Sequence, residues 1–368
     1  MKTWCTLLIA CLLWSAPARA QSGAPPPPPA AVMNDPVQGG WHGAELQEET
    51  GRWERIVQEH PADQQARLNL FRSARNASLA RHGGAIPAPD HARLEDIAHD
   101  MARNDADGFE TRIALFHLHF PQEAAWAHLE QAARTGTGRV ELIGPQLAGA
   151  ARSGDEAAMV RHGLDLVQRG GIAPALLAMA DDILLSVAPD AVLIAAGEMD
   201  AYAVWTRQYA SGSRRDVIAV DHRMLEDAAY RGLIWARAGA RGATPSAETF
   251  VDQLARRTDR PVYCSLALGP ERLARWSGQL YVTGLAARYS AVPFDNTTAL
   301  AANWPRMHKA LNAGPLSHNY LVPAAVLLKH YRAIGLEEGY APLQHELRGM
   351  AHELGATEQL YRTGVLEH

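Results

Sequence analysis

Between Asp190 and Asp227 the chain carries two short apolar runs, Ala191-Val192-Leu193-Ile194-Ala195-Ala196 and Val217-Ile218-Ala219-Val220. A stretch of helical character separates them. Each run is too short for a buried helix and is bounded by turn residues, so both read as strands. Strands joined through a helix are parallel, and the crossover is right-handed. A third run, Pro261-Val262-Tyr263-Cys264-Ser265-Leu266, follows a Gly/Ala-rich loop from Gly239 to Thr244 and a helical stretch from Glu248 to Arg257. Strand, helix, strand, helix, strand predicts a small three-stranded parallel layer. Ser277 to Arg288 reads as extended or mixed structure.

The flanks have a different period. Trp53, Ile56 and Val57 recur on one helical face, His60-Pro61-Ala62-Asp63 breaks the run, and Ala66, Leu68, Leu70 and Phe71 start another. Helix, Pro-containing turn, helix is the grammar of tetratricopeptide-like pairs, although no strict repeat of about 34 residues is present. Further helices are expected over 91–104, 107–116, 122–134, 146–152, 155–169 and 174–185, with Asp90 and Ser153 as capping residues. From Trp304 the pattern is helical again, with helices over 321–334 and 340–354 separated by Gly335-Leu336. The expected fold is α-rich α/β: tetratricopeptide-like helical pairs (41–189 and 291–368) flanking a three-stranded parallel α/β layer (190–290).

Lys2, the apolar stretch from Thr6 to Trp14 and Ala18-Arg19-Ala20 make residues 1–20 a secretory signal peptide cleaved before Gln21. A rival reading is lipidation at Cys11, after Leu8-Ile9-Ala10; against it, the apolar run continues past Cys11 and a cleavage site follows. The product is expected in the periplasm or secreted. Residues 21–40, with Pro25 through Pro29, read as a Pro-rich tether. No later segment is apolar enough to span a bilayer. Cys5 and Cys11 leave with the signal peptide, so Cys264 alone remains and no intrachain disulfide forms. Cys264 is expected to be a buried, inert thiol. A net charge of -5, from interspersed residues of both signs, argues against a nucleic-acid partner.

Ligands of open α/β sheets bind beyond the carboxyl ends of the strands. Gly197-Glu198-Met199-Asp200 follows the first strand and Asp221-His222-Arg223 the second, so one sheet edge would collect Glu198, Asp200, Asp221, His222 and Arg223. Gly197 permits close backbone approach there, and Trp205 lies just beyond it. A carboxylate beside a histidine suits acid–base work. The plainer reading is a turn in which Asp200 caps the following helix. His117-Leu118-His119, with His128 or Glu123, is a loose metal pattern on a helical run, where the two rings splay apart. No metal site and no cofactor is expected, because no phosphate loop, dinucleotide fingerprint, nucleophile elbow or paired cysteine occurs. Asn76-Ala77-Ser78 and Asn296-Thr297-Thr298 match the glycosylation tripeptide, without weight in a bacterial-style chain.

Several of these residues also carry a resemblance. Gly197-Glu198-Met199-Asp200 with Tyr202, Trp205 and Gln208, then Arg215-Asp216-Val217, Arg260-Pro261-Val262-Tyr263 and Leu280 to Arg288, resemble the soluble C-terminal part of bacterial GT-C-type protein O-mannosyltransferases. The likeness spans about residues 185–350 and includes the helical pair after Asn319-Tyr320. That family's membrane-embedded catalytic half has no counterpart here. The resemblance therefore implies binding of an acceptor or partner, not mannose transfer from a lipid carrier. The expected function is an exported binding or scaffold protein with a protein or peptide partner, accessory to cell-envelope glycosylation or assembly. The alternative is a hydrolase or transferase acting on a sugar or phosphorylated ligand at the carboxyl edge of the strands. A third reading has Trp205 or Tyr202 filling that edge. Convergence around a cleft separates the three.

Overall fold

A computed structural model describes residues 33–40, 45–82 and 86–367. The signal-peptide and Cys11 readings, and the Pro25–Pro29 run, lie outside the described residues. Eight helices come first: α1 (Glu45–Glu59), α2 (Gln64–Arg81), α3 (Ala88–Asn104), α4 (Phe109–His119), α5 (Glu123–Thr135), α6 (Ile143–Ser153), α7 (Glu156–Gln168) and α8 (Pro174–Leu185). The α/β part follows as β1 (Val192–Ala195), α9 (Glu198–Ala210), β2 (Ile218–Asp221), α10 (Ala228–Arg237), α11 (Phe250–Arg257) and β3 (Val262–Ser265). It closes with α12 (Gly269–Ala274), β4 (Leu280–Val282) and β5 (Ala286–Tyr289). The chain ends with α13 (Thr297–Asn303), α14 (Leu321–Ile334), α15 (Glu337–Glu353) and α16 (Thr357–Arg362). The fold is thus α-rich α/β.

The sheet has five strands in the order β2-β1-β3-β5-β4, where the sequence suggests three. β1, β2 and β3 are parallel, with Ile194 opposite Val220 on one side and Cys264 on the other. The two additional strands are a hairpin within the stretch read as extended or mixed; β5 runs antiparallel to β3 and β4 antiparallel to β5. Their burial is uneven, so no continuous apolar run announces them. Gly284 makes the hairpin turn at φ 151°, where a Cβ would overlap Ser186 Oγ.

Successive residues of β1 point to opposite faces, yet Val192, Leu193 and Ile194 are all fully buried. Both faces are therefore covered, which is why parallel strands read as unbroken apolar runs. Each such Leu or Ile side chain contributes roughly 1.5–3 kcal/mol through burial. α9 packs on α7 and α8 as well as on β2, so the crossover helix joins the sheet to the helical region. One continuous apolar core runs from Val37 to Leu366. Among the described residues, no helix is long and apolar enough to cross a membrane.

Three local expectations need correction. Residues 33–40, assigned to the tether, belong to the folded body: Met33, Pro36 and Val37 are buried, and Ala173 N–H donates to Val37 O at 2.8 Å. α3 begins at Ala88 behind Pro87, which places Asp90 inside its first turn instead of at its cap. Asp155, not Ser153, caps α7, accepting from Ala158 N–H at 2.9 Å. In both helices the residue nearer the true start has the extended backbone a cap requires.

Candidate functional site

The carboxyl edge of β1 and β2 holds the predicted residues, but they serve different masters. Gly197 precedes α9 with extended backbone, and a Cβ there would stand 2.9 Å from Arg223 Nε. Glycine is needed for the close approach of that arginine. Asp200, three residues on, accepts from Ala196 N–H at 2.9 Å, Gly197 N–H at 2.9 Å and Ala201 N–H at 3.0 Å. Its carboxylate caps the helix it sits on by accepting from the backbone amides at the helix start, one half of a capping box; Gly197 has no side chain to return the bond. Burial raises its pKa, and the backbone donors and Ser265 oppose that rise.

Glu198 is a buried carboxylate held between two guanidinium groups. Arg75, from α2, addresses both its oxygens, and Arg223 Nη1 donates to Oε1 at 2.9 Å. His117 Nδ1, at the end of α4, lies 4.0 Å from the same oxygen. Burial alone would raise the Glu198 pKa; Arg75 and Arg223 outweigh it and hold the group far below the usual carboxylate range. Asp221 engages the other side of Arg223, accepting from Arg223 Nη2 at 2.6 Å, Nε at 3.1 Å and backbone N–H at 2.9 Å. The guanidinium also lies 4.7 Å over the ring of Phe120. Against its own burial, Asp221 and Glu198 raise the Arg223 pKa well above the usual arginine value.

The remaining predicted residues do not join this centre. Trp205 is a core residue whose indole N–H donates to Ala219 O at 3.1 Å, stacked on buried Tyr202 at 5.9 Å. Burial first, then Arg272, lowers the His222 pKa, and Asp221 opposes that fall. His222 makes no hydrogen bond to Glu198 or Asp221, so the acid–base pairing expected there is not formed. His119 leaves the network and approaches His128 at 5.4 Å, while Arg112 Nη1 stands 3.2 Å from His128 Nδ1. Among the described residues, no group of three or more His, Cys, Asp or Glu is placed to hold a metal ion. Cys264 is fully buried, and burial pushes its thiol up to about 12.

No family model, curated protein or solved structure matches the chain.

Sequence reading missed the residues that complete the network. Arg72 and Arg75 sit in the apolar run Leu68-Asn69-Leu70-Phe71-Arg72-Ser73-Ala74-Arg75, and α2 is buried on nearly every face from Gln65 to Ser78. Charges in an all-round buried helix must meet counter-charges; that was the available signal. Arg72 lies 3.4 Å from Asp35 and 3.7 Å from Glu141, and Glu141 in turn pairs with Arg139 at 2.7 Å. The same burial places the Asn76 side chain at 3% exposure, out of reach of a glycan. The space left beside Asp35, Glu141, His117, Glu198 and Tyr202 is about 20 Å³, which admits a single water molecule.

Proposed function

We propose that this chain is an exported binding or scaffold protein that engages a protein or peptide partner in the cell envelope. On this reading the carboxyl edge of its sheet is a junction and not a reaction centre. The observation that carries the reading is the mutual consumption of the predicted site: Glu198, Asp200, Asp221 and Arg223 are spent on one another, on Arg75 and on backbone amides. The space beside Glu198, about 20 Å³, has room for one water molecule and none for a substrate. Consecutive helices pack on each other in the pairs α1/α2, α4/α5, α6/α7 and α14/α15. That supports reading them as tetratricopeptide-like hairpins, whose stacked surfaces suit peptides and proteins. The leader-like residues 1–20 support export to the periplasm. The likeness of residues 185–350 to the soluble part of protein O-mannosyltransferases supports a role accessory to cell-envelope glycosylation or assembly.

The test is a thermal-shift screen of residues 21–368 against divalent metals, nucleotide sugars and sugar phosphates. A ligand of the native state raises the melting temperature by mass action. The expected result is that no compound does so. A sugar phosphate that stabilises the wild type but not Arg223→Ala, or turnover that disappears in Glu198→Gln, would overturn the proposal in favour of a hydrolase or transferase.

A further inference from the structure

Arg72 is a buried charge with weak partners. Its side chain is 1% exposed, yet its nearest partners are Asp35 Oδ1 at 3.4 Å, Met33 O at 3.4 Å and Glu141 Oε1 at 3.7 Å. Nε and Nη2 have no hydrogen-bond partner, and neither does Nε2 of nearby buried His117. A guanidinium seated against a carboxylate normally forms two bonds of about 2.7–2.9 Å; Arg223 makes such a two-armed pair with Asp221, at 2.6 and 3.1 Å. Burial pushes the Asp35 carboxyl up despite Arg72, so the pair does not make good what its burial costs. The cradle around Arg72 offers more than Asp35 uses.

Asp35 arrives there on residues 33–40, which lie against the body as a short peptide lies in a groove. Met33 N–H donates to Asn69 Oδ1 at 3.1 Å, Ala173 N–H donates to Val37 O at 2.8 Å, and Pro36 and Val37 are buried. Asn34 between them faces solvent. Pro36–Gln38 form a single 3-10 turn, so a backbone bond at each end, one apolar anchor and one acidic side chain seat a short preformed turn against the body.

We propose that the groove between α2, α9 and the segments at Glu141 and Ala173 is a binding site for an acidic peptide turn of the pattern acid-Pro-apolar, occupied in cis by Asp35-Pro36-Val37. The inference rests on the partner-binding reading above and names the class of ligand. A partner segment with an acid that reaches Arg72 more closely displaces residues 33–40, and the N-terminal segment acts as a built-in competitor. Its high effective concentration keeps the groove shut until such a partner arrives.

The test uses residues 21–368 carrying Val37→Asp, which puts a charge where the apolar anchor sits and releases the strap. The probe is a fluorescent peptide with the sequence of residues 33–40, read by anisotropy. Binding is expected to be saturable on the Val37→Asp chain and at least tenfold weaker on the wild type. It should fall at least tenfold when Asp35 of the peptide is Asn, or when Arg72→Met is added to the chain. Asp35→Ala, which keeps the apolar anchor, is run in parallel as the milder variant and replaces Val37→Asp if that chain fails to fold. Equal binding of the Asp and Asn peptides, or no binding to a strap-released chain that melts cooperatively, overturns the groove. Such a result leaves the small-ligand screen unchanged, whereas a sugar phosphate that stabilises the wild type overturns the partner-binding reading whatever the peptide does.

Discussion

Two buried carboxylates tie distant parts of this chain together, and they do it by opposite means. Glu198, at the carboxyl edge of the sheet, is neutralised by charge: Arg75 reaches it from the first helical region and Arg223 from the end of β2. Asp182, on α8, meets polar donors instead. It accepts from His308 N–H at 2.8 Å, His308 Nδ1 at 2.9 Å, Lys309 N–H at 3.0 Å and the Tyr320 hydroxyl at 2.6 Å. The first device leaves a guanidinium stranded whenever one partner is lost. The second is filled by two backbone amides, a hydroxyl and the His308 ring, with no guanidinium among them. The comparison teaches that the sheet edge is the costlier junction, because each ion there was taken out of water.

Breaking the first junction should therefore have the largest effect. Glu198→Ala leaves Arg75 without its principal partner and removes one of two from Arg223, and is expected to cost about 3–5 kcal/mol in urea unfolding. Glu198→Met combined with Arg75→Met removes the pair together and should cost less than Glu198→Ala alone. If the double variant is the worse of the two, charge matching is not what makes this junction fragile. The Glu198 pKa is depressed on folding, so its stabilisation is complete above the ordinary value of 4.5 and drains away as pH falls below it. Acid unfolding of Glu198→Gln should accordingly be shallower than that of the wild type.

Asp182→Asn tests the second device. The amide keeps one oxygen but turns an NH₂ toward donors, and the loss is expected to be about 2–3 kcal/mol. Because Asp182 holds His308, Lys309 and Tyr320, hydrogen exchange should quicken in residues 307–321 and stay unchanged in β1. Equal quickening across the sheet would show that the two junctions unfold as one.

The contrast also explains what was legible in the sequence. β1, β2, β3 and the helix at 198–210 were readable because apolar runs and turn residues are local signals. The hairpin β4–β5 was not, since Gly284 gains its meaning only against Ser186, nearly a hundred residues earlier. The edge residues Gly197, Glu198, Asp200, Asp221 and Arg223 were found from the rule about strand ends. Their partners Arg75, Arg72, Asp35 and His117 come from helices and a strap that no local pattern brings together. Asp182 went unnoticed for the same reason: its donors lie more than a hundred residues away.

His117 sharpens the comparison at lower amplitude. Burial first, and Arg75 next, push its imidazole down to about 3, so it stays neutral in the folded chain. Unfolded, it takes up a proton near 6.5. A depressed pKa means stability that is whole above 6.5 and lost as pH falls toward the folded value. The stability gap between wild type and His117→Leu should change by about 1.4 kcal/mol per pH unit below 6.5, in favour of the variant as acid is added. A constant gap between pH 7 and pH 5 would mean that the ring is protonated in place beside Glu198.

The smallest effect belongs to an ion pair that water already solvates. Arg215 Nη2 and Glu156 Oε2 stand 2.7 Å apart with both side chains about half exposed. Exposed pairs contribute about 0–1 kcal/mol, so Glu156→Ala should shift stability by no more than about 0.5 kcal/mol. Arg215 does more than pair, since its guanidinium lies 4.6 Å over the ring of Tyr209, a contact that survives without Glu156. Arg215→Ala should therefore cost more than Glu156→Ala, and raising the salt concentration should narrow only the part of the loss that Glu156 supplies. Equal losses for the two variants would assign the whole interaction to charge and place this surface pair in the same class as the buried edge.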